Sequence, residues 1–286
     1  MRLLSYLDAG VSSWGVLDGV CVFPANSLAL NLPATLGELI ADKAAFQQLQ
    51  ISWLNRSSNL TGRLLEDLEF LPVIQRPGKI ICLGVNYVDH AKEGGNQIGE
   101  YPTVFLRCAT SLLAHGRPLR VPSVSDKLDF EAELAVVIGS NTRNISEHEA
   151  LNFVFGYACF NDATLRDYQR KTTQWTMGKN FDATGSFGPC LVTSDELPPG
   201  CLGLHIESRL NGKVMQSANT SDMAFGVART ISLLSQVMTL EPGDVIVMGT
   251  PGGVGYARTP PVWMKAGDTI EVEIEGVGVL SNLIAA

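Results

Sequence analysis

Two glutamates spaced two apart in an otherwise apolar run carry the most specific chemistry in this 286-residue sequence. In Asp129-Phe130-Glu131-Ala132-Glu133-Leu134-Ala135-Val136-Val137-Ile138-Gly139, successive side chains of a strand alternate, so Glu131 and Glu133 share one face. The apolar remainder implies burial, and two buried like charges are costly unless a cation joins them. The same alternation also suits a solvent-facing strand end. Asp162 ends a second apolar run, Tyr157-Ala158-Cys159-Phe160-Asn161-Asp162, and tips the reading towards a metal. Three carboxylates make a hard, oxygen-rich site suited to Mg²⁺ or Mn²⁺. No His or Cys shares this spacing, which disfavours zinc.

His90 and Glu93, in Asn86-Tyr87-Val88-Asp89-His90-Ala91-Lys92-Glu93-Gly94-Gly95, share a face of a short helix. A carboxylate that orients an imidazole makes a general base for water, although an exposed His–Glu pair reads the same way. Gly94-Gly95 would end that helix and let the segment move as a lid. Arg166 and Lys179 follow Asp162 closely and would hold an anionic substrate or a developing oxyanion; a solvated lysine is the ordinary alternative. The loop Gly249-Thr250-Pro251-Gly252-Gly253-Val254-Gly255 lacks the Gly-Lys-Ser/Thr of a nucleotide-binding loop. It could still bring Thr250 and backbone N–H groups to a carboxylate.

The elements that must position these groups are mostly strands. Apolar runs predict strands at Ile80–Leu83, Val104–Arg107, Phe130–Ile138, Phe155–Phe160, Leu204–Leu210, Val245–Gly249, Thr269–Glu275 and Val277–Ser281. Asn211-Gly212 marks a two-residue hairpin. Helices are expected at Leu36–Leu49 after a Thr35 cap, at Ser146–Asn152 after a Ser146/Glu149 capping box, and at Met223–Met238. Without regular β-α-β alternation, a mixed sheet or roll fits better than a doubly wound sheet. Residues 1–72, with three short strands before the Thr35 helix, read as a small N-terminal unit ahead of a larger one, 73–286.

Composition narrows the partners. With 21 Lys+Arg against 29 Asp+Glu the net charge is -8, and no basic run offers a stripe for nucleic acid. No apolar stretch is long enough to span a bilayer and no signal-peptide core forms before Asp8, so a cytoplasmic address is expected. Six scattered cysteines with no C-x-x-C pair read as free thiols.

The ordered set Asn-Tyr-x-x-His-x-x-Glu, Asp-Phe-Glu-x-Glu-Leu, Asn-Asp, Gly-Lys-x-Phe-Asp, Asn-Thr-Ser-Asp-Met and Gly-Thr-Pro-x-Gly-Val-Gly resembles the fumarylacetoacetate hydrolase family, from about residue 78 to the C-terminus. That resemblance implies an α+β protein: a mixed β-roll catalytic domain preceded by a small α/β domain. It implies a divalent metal, usually Mg²⁺, on Glu131, Glu133 and Asp162, with His90, Glu93 and Lys179 catalytic. It suggests substrate contacts from Arg166, Gln169 and Thr250, and a homodimer. Arg107 stands where many relatives carry Lys, which keeps the charge but changes the geometry of a substrate contact.

The expected reaction is hydrolysis of a carbon–carbon bond in an acylpyruvate-like acid, giving pyruvate and a carboxylic acid. His90 would deprotonate the water, and Lys179 would stabilise the oxyanion. The same site also suits decarboxylation of a 2-oxo acid such as oxaloacetate, or keto–enol or double-bond isomerisation. A metal-binding protein without catalysis is a further reading, which the joint presence of His90, Glu93 and Lys179 opposes.

Overall fold

Continuous apolar character decides which strands lie at the centre. In the computed structural model, which describes every residue except Leu30, Ser58, Asn59 and Asn96, all seven residues of the strand Ala132–Ile138 are buried. Such a strand must be covered on both faces. Leu134, Val136 and Ile138 point into one core with Ile206, Val272, Ile274 and Leu280. Ala135 and Val137 point into another with Leu36, Leu39, Ile40 and Leu49.

The strands used below are β1 (Arg2–Asp8), β2 (Val11–Asp18), β3 (Cys21–Pro24), β4 (Ile80–Leu83), β5 (Val104–Arg107), β6 (Ala132–Ile138) and β7 (Val154–Asp162). They continue with β8 (Gly185–Thr193), β9 (His205–Leu210), β10 (Lys213–Asn219), β11 (Val245–Val247), β12 (Thr269–Ile274) and β13 (Gly278–Ala285). A twelve-stranded mixed sheet runs β3-β2-β1-β8-β7-β6-β11-β4-β5, with short strands at its edges. Pairing is antiparallel along this path except between β11 and β4. A five-stranded sheet carries β10-β9-β12-β13. Together they form a mixed α+β roll, as the resemblance implied.

Residues 1–72 are tied into this sheet, because Arg2 and Leu3 of β1 pair with Val192 and Leu191 of β8. Thr35 caps a helix, α1 (Leu36–Ala41), in a reciprocal capping box with Glu38. The single helix expected over Leu36–Leu49 is instead two. Asp42 accepts from the N–H groups of Ala44 and Ala45 and starts α2 (Lys43–Leu54). A cap of this kind is worth about 1 kcal/mol, enough to bend the path where the apolar spacing runs on.

Other boundaries shift for local reasons. The strand expected from Phe130 begins at Ala132, because the N–H of Glu131 goes to the Asn161 side chain. The helix expected from Met223 starts at Val227 after Gly226 and spans Val227–Val237. Ser146 bonds the Glu149 side chain rather than a backbone N–H, and the helix there spans Glu147–Ala150. Asn211 and Gly212 take φ values of 53° and 76°, as the hairpin requires. Strand β8 is absent from the expectations although it joins β1 to β7. Gly185, Gly188 and Pro189 interrupt its sequence signature. Among the described residues, no helix is long and apolar enough to cross a membrane.

Candidate active site

Register, more than spacing along one strand, assembles the acids. Ala132 of β6 lies opposite Asn161 of β7, and the Asp162 N–H donates to the Glu131 carbonyl. The end of β7 therefore sets Asp162 beside Glu131, and Glu133 follows one alternation further along β6. A carboxylate oxygen from each of the three lies within 4.8 Å of the others, and all three residues are buried. An Mg–O distance of about 2.1 Å would separate opposite ligands by about 4.2 Å, so small side-chain shifts let one divalent cation reach all three. The donor set, the spacing and the burial fit such an ion.

Basic groups surround the acids. The Lys179 ammonium bonds Glu131 and Asp162, including the Asp162 carbonyl. Arg166 donates from Nε to Asp129 at 2.7 Å, from Nη2 to Glu131 at 2.7 Å and from Nη1 to Gln169 at 3.0 Å. Arg107 bonds Asp162 from behind, together with Thr184 at 3.0 Å and Ser111 at 3.2 Å. Four buried carboxylates, Asp129, Glu131, Glu133 and Asp162, thus face three cations.

Their protonation follows from this layout. Burial alone would raise the Glu131 pKa, but Arg166 and Lys179 overcome it and hold the carboxyl far below its usual range. Among the described residues, no cation contacts Glu133 as Lys179, Arg166 and Arg107 contact its neighbours. Burial, then Asp162 and Glu131, push its pKa well above 4.5, opposed by more distant Lys179 and the Gly249 N–H. Burial lowers the Lys179 pKa less than Asp162 and Glu131 raise it, so the ammonium stays charged.

Two short helices, α4 (Arg166–Gln169) and α5 (Thr176–Lys179), carry the basic side. Gly178 is what lets them meet: a Cβ there would lie 2.5 Å from the Gln169 backbone nitrogen. The opposite wall is α3 (Val88–Glu93), closed by Gly94. On it His90 Nδ1 lies 2.8 Å from Glu93 Oε1, and Glu93 Oε2 accepts the Gly253 N–H at 2.8 Å. Gly253 has φ 99°, and a Cβ would meet the Met215 carbonyl at 2.3 Å, so glycine is required there.

A cavity of about 400 Å³ opens above the acids, lined by His90, Glu131, Glu133, Asp162, Arg166, Gln169, Lys179 and Thr250 among others. The structure therefore brings together eight of the ten residues expected at the site around one space. Glu93 stands behind His90. Arg107 does not fit the substrate contact expected of it: it lies outside the cavity wall, with its guanidinium committed to Asp162, Thr184 and Ser111. Thr250 gives its one proton to the Ala132 carbonyl and accepts from Gln216, so towards a ligand it can only accept.

Asp129 was not assigned a role from sequence. It accepts the N–H groups of Gly255 at 2.7 Å and Tyr256 at 3.1 Å and holds Arg166. Its place two residues before Glu131 was the available signal. Tyr256, Trp175 and Arg170 also line the cavity, and nothing in their spacing marked them.

Comparison with known proteins agrees with this architecture. The profile described as Fumarylacetoacetate (FAA) hydrolase C-terminal matches residues 79–285. The chain is 40% identical to the oxaloacetate tautomerase YisK of Bacillus subtilis, over 89% of this chain and 87% of that protein. It is 39% identical to the mitochondrial oxaloacetate tautomerase fahd2 of Xenopus laevis, over 93% and 83% respectively. The solved structure of maleylpyruvate hydrolase from a Sphingobium species superposes with a TM-score of 0.83 at 30% identity, over 100% of this chain and 99% of that one.

Proposed function

This chain belongs to the fumarylacetoacetate hydrolase family, and on that premise we propose that it moves a proton at the carbon beside the keto group of a small, oxaloacetate-like 2-oxo acid. Keto and enol forms would thereby interconvert. The observation that carries this reading is the chain from Gly253 through Glu93 to His90. With Nδ1–H donated to Glu93, His90 keeps the Nε2 lone pair for the cavity, which it lines. His90 takes the proton, and Glu93 stabilises the imidazolium that results. The Gly253 N–H fixes the far oxygen of Glu93, so the carboxylate cannot turn away.

Glu131, Glu133 and Asp162 would hold Mg²⁺ or Mn²⁺, which supplies Lewis acidity that makes the carbon beside the keto group easier to deprotonate. Lys179 and Arg166 hold Glu131 in place and keep it ionised. The names of the two relatives support the substrate class.

Hydrolysis of an acylpyruvate, the reaction expected from sequence, is the second reading, and likeness to a maleylpyruvate hydrolase favours it. His90 would then activate water. That reaction also needs a donor for the oxyanion at the distal carbonyl. Lys179 has its N–H groups on Glu131 and Asp162, and Arg166 uses three of its five N–H donors on Asp129, Glu131 and Gln169, so the donor would have to come from the rest of Arg166 or from Arg170. Proton transfer alone makes no such demand.

The test follows enol-to-keto conversion of oxaloacetate, with Mg²⁺ and with chelator, beside acetylpyruvate in ¹⁸O-labelled water. Wild-type protein should accelerate the tautomerisation. His90→Ala should lower the rate roughly 10²- to 10⁴-fold while Mg²⁺ still raises the melting temperature. Full turnover by His90→Ala would overturn the assignment, and ¹⁸O in released acetate without tautomerisation would establish hydrolysis.

A further inference from the structure

Four basic side chains line the cavity, and among the described residues they differ in what they have left to give. Lys179 is committed to Glu131 and Asp162, Arg166 to Asp129, Glu131 and Gln169, and His90 Nδ1 to Glu93. Arg170 has no carboxylate partner. Its guanidinium carbon lies 4.5 Å from the centroid of the Tyr256 ring, and that of Arg166 lies 4.4 Å from the same centroid. Arg170 follows Arg166 by four residues at the end of α4, with its N–H on the Arg166 carbonyl, so the two side chains rise on one face a turn apart. The first reaches the acids on the floor. The second is exposed and stands nearer the mouth.

We propose that Arg170, resting on Tyr256, binds the distal carboxylate of a dicarboxylic 2-oxo acid and sets the preference for such acids over those with a neutral tail. A guanidinium stacked on a ring keeps its edge N–H groups in plane and free to fork onto a carboxylate. The Tyr256 backbone is pinned by Asp129, so the ring that supports Arg170 is tied to the same carboxylate that fixes Arg166. Spacing between floor and mouth thereby becomes a ruler for a short diacid. The inference rests on the reading of this cavity as a 2-oxo acid site.

The experiment measures binding, so it does not depend on turnover. Mg²⁺-loaded protein is titrated calorimetrically with difluoro-oxaloacetate, whose third carbon carries no proton, and with its distal monomethyl ester. Arg170→Gln should weaken the diacid roughly tenfold, as loss of a solvent-exposed charge-assisted contact allows, and leave the ester unchanged. Arg170→Lys should keep part of the preference. Lys171→Gln, beside it in sequence but stacked on Tyr168 and outside the cavity, should change neither affinity. Equal affinity of wild type for both probes, or equal weakening of both by Arg170→Gln, overturns the role of Arg170 and leaves the 2-oxo acid site standing. Failure of wild type to bind either probe instead overturns that site, and the role of Arg170 with it.

Discussion

Replacing Lys179 by Met keeps an unbranched side chain one atom shorter and removes its charge, which makes the charge count of the floor measurable. Formally, three cations against four buried carboxylates leave one excess negative charge, and the variant leaves two. Removing one partner of a buried ion pair costs about 3–5 kcal/mol. Carboxylates can take up protons in response, so the lower figure is expected. At about 2–4 °C per kcal/mol for a chain approaching this size, the variant should melt roughly 6–12 °C below wild type in chelator. A divalent cation replaces the missing charge on Glu131 and Asp162, which the ammonium no longer occupies. At a hundredfold excess over its Kd it returns about 2.7 kcal/mol, so Mg²⁺ should restore most of the loss and protect the variant more than wild type. The assay is thermal unfolding of both proteins in chelator and in Mg²⁺ or Mn²⁺. Equal melting temperatures in chelator, or equal shifts with metal, would refute the claim that ammonium and metal share these carboxylates.

Glu93→Gln removes a charge and one acceptor from the His90–Gly253 link, so one of two N–H partners must be lost. A hydrogen bond to a charged group contributes about 1.5–3 kcal/mol, and kcat should fall roughly 10- to 100-fold with little change in KM; an unaltered kcat would remove Glu93 from the base. Glu133 gives the pH dependence. Its folded pKa lies well above the usual value, so the folded protein keeps a proton that the unfolded chain loses near pH 4.3, roughly, and this contribution to stability is lost as pH rises towards the folded pKa. Metal binding should expel that proton and tighten across the same window. Calorimetric titration with Mg²⁺ in buffers of different ionisation enthalpy should show the release, and identical heats in every buffer would take Glu133 out of the ligand set.

Much of the site was legible because its signals are local. Period-two acids in an apolar strand, an i, i+3 His–Glu pair and a glycine loop each state a geometry within a few residues. The pairing of β6 with β7 was legible only by implication, since two acid-bearing apolar runs must meet to share a cation. What stayed hidden depends on contacts between distant segments. β8 is central yet broken in sequence by glycine and proline, so its place is set by β1 and β7 on either side rather than by its own pattern. Arg107 reads as a substrate contact from sequence because charge is visible there and direction is not: the fold buries it behind Asp162, paired with that carboxylate. Asp42 divided an apparent helix because a capping side chain outweighs continued apolar spacing.

The loop from Gly249 to Tyr256 bears on how an acidic chain of net charge -8 would accept the anionic substrate proposed above. Its N–H groups go to the protein's own carboxylates: Gly249 to Glu133, Gly253 to Glu93, and Gly255 and Tyr256 to Asp129. A nucleotide-binding loop aims the same donors at phosphate. The difference matters electrostatically. Glu131 and Asp162 are held by cations, which cancel their charge as they fix their position. Glu133 is held by a neutral N–H, which fixes its position and leaves its charge uncancelled. The formal excess negative charge of the floor therefore falls at Glu133, which burial and its acidic neighbours hold protonated until a divalent cation takes the place of the proton. Adding that cation turns the formal local balance from one negative to one positive, which would favour the small acid proposed as ligand in a chain whose net charge is -8.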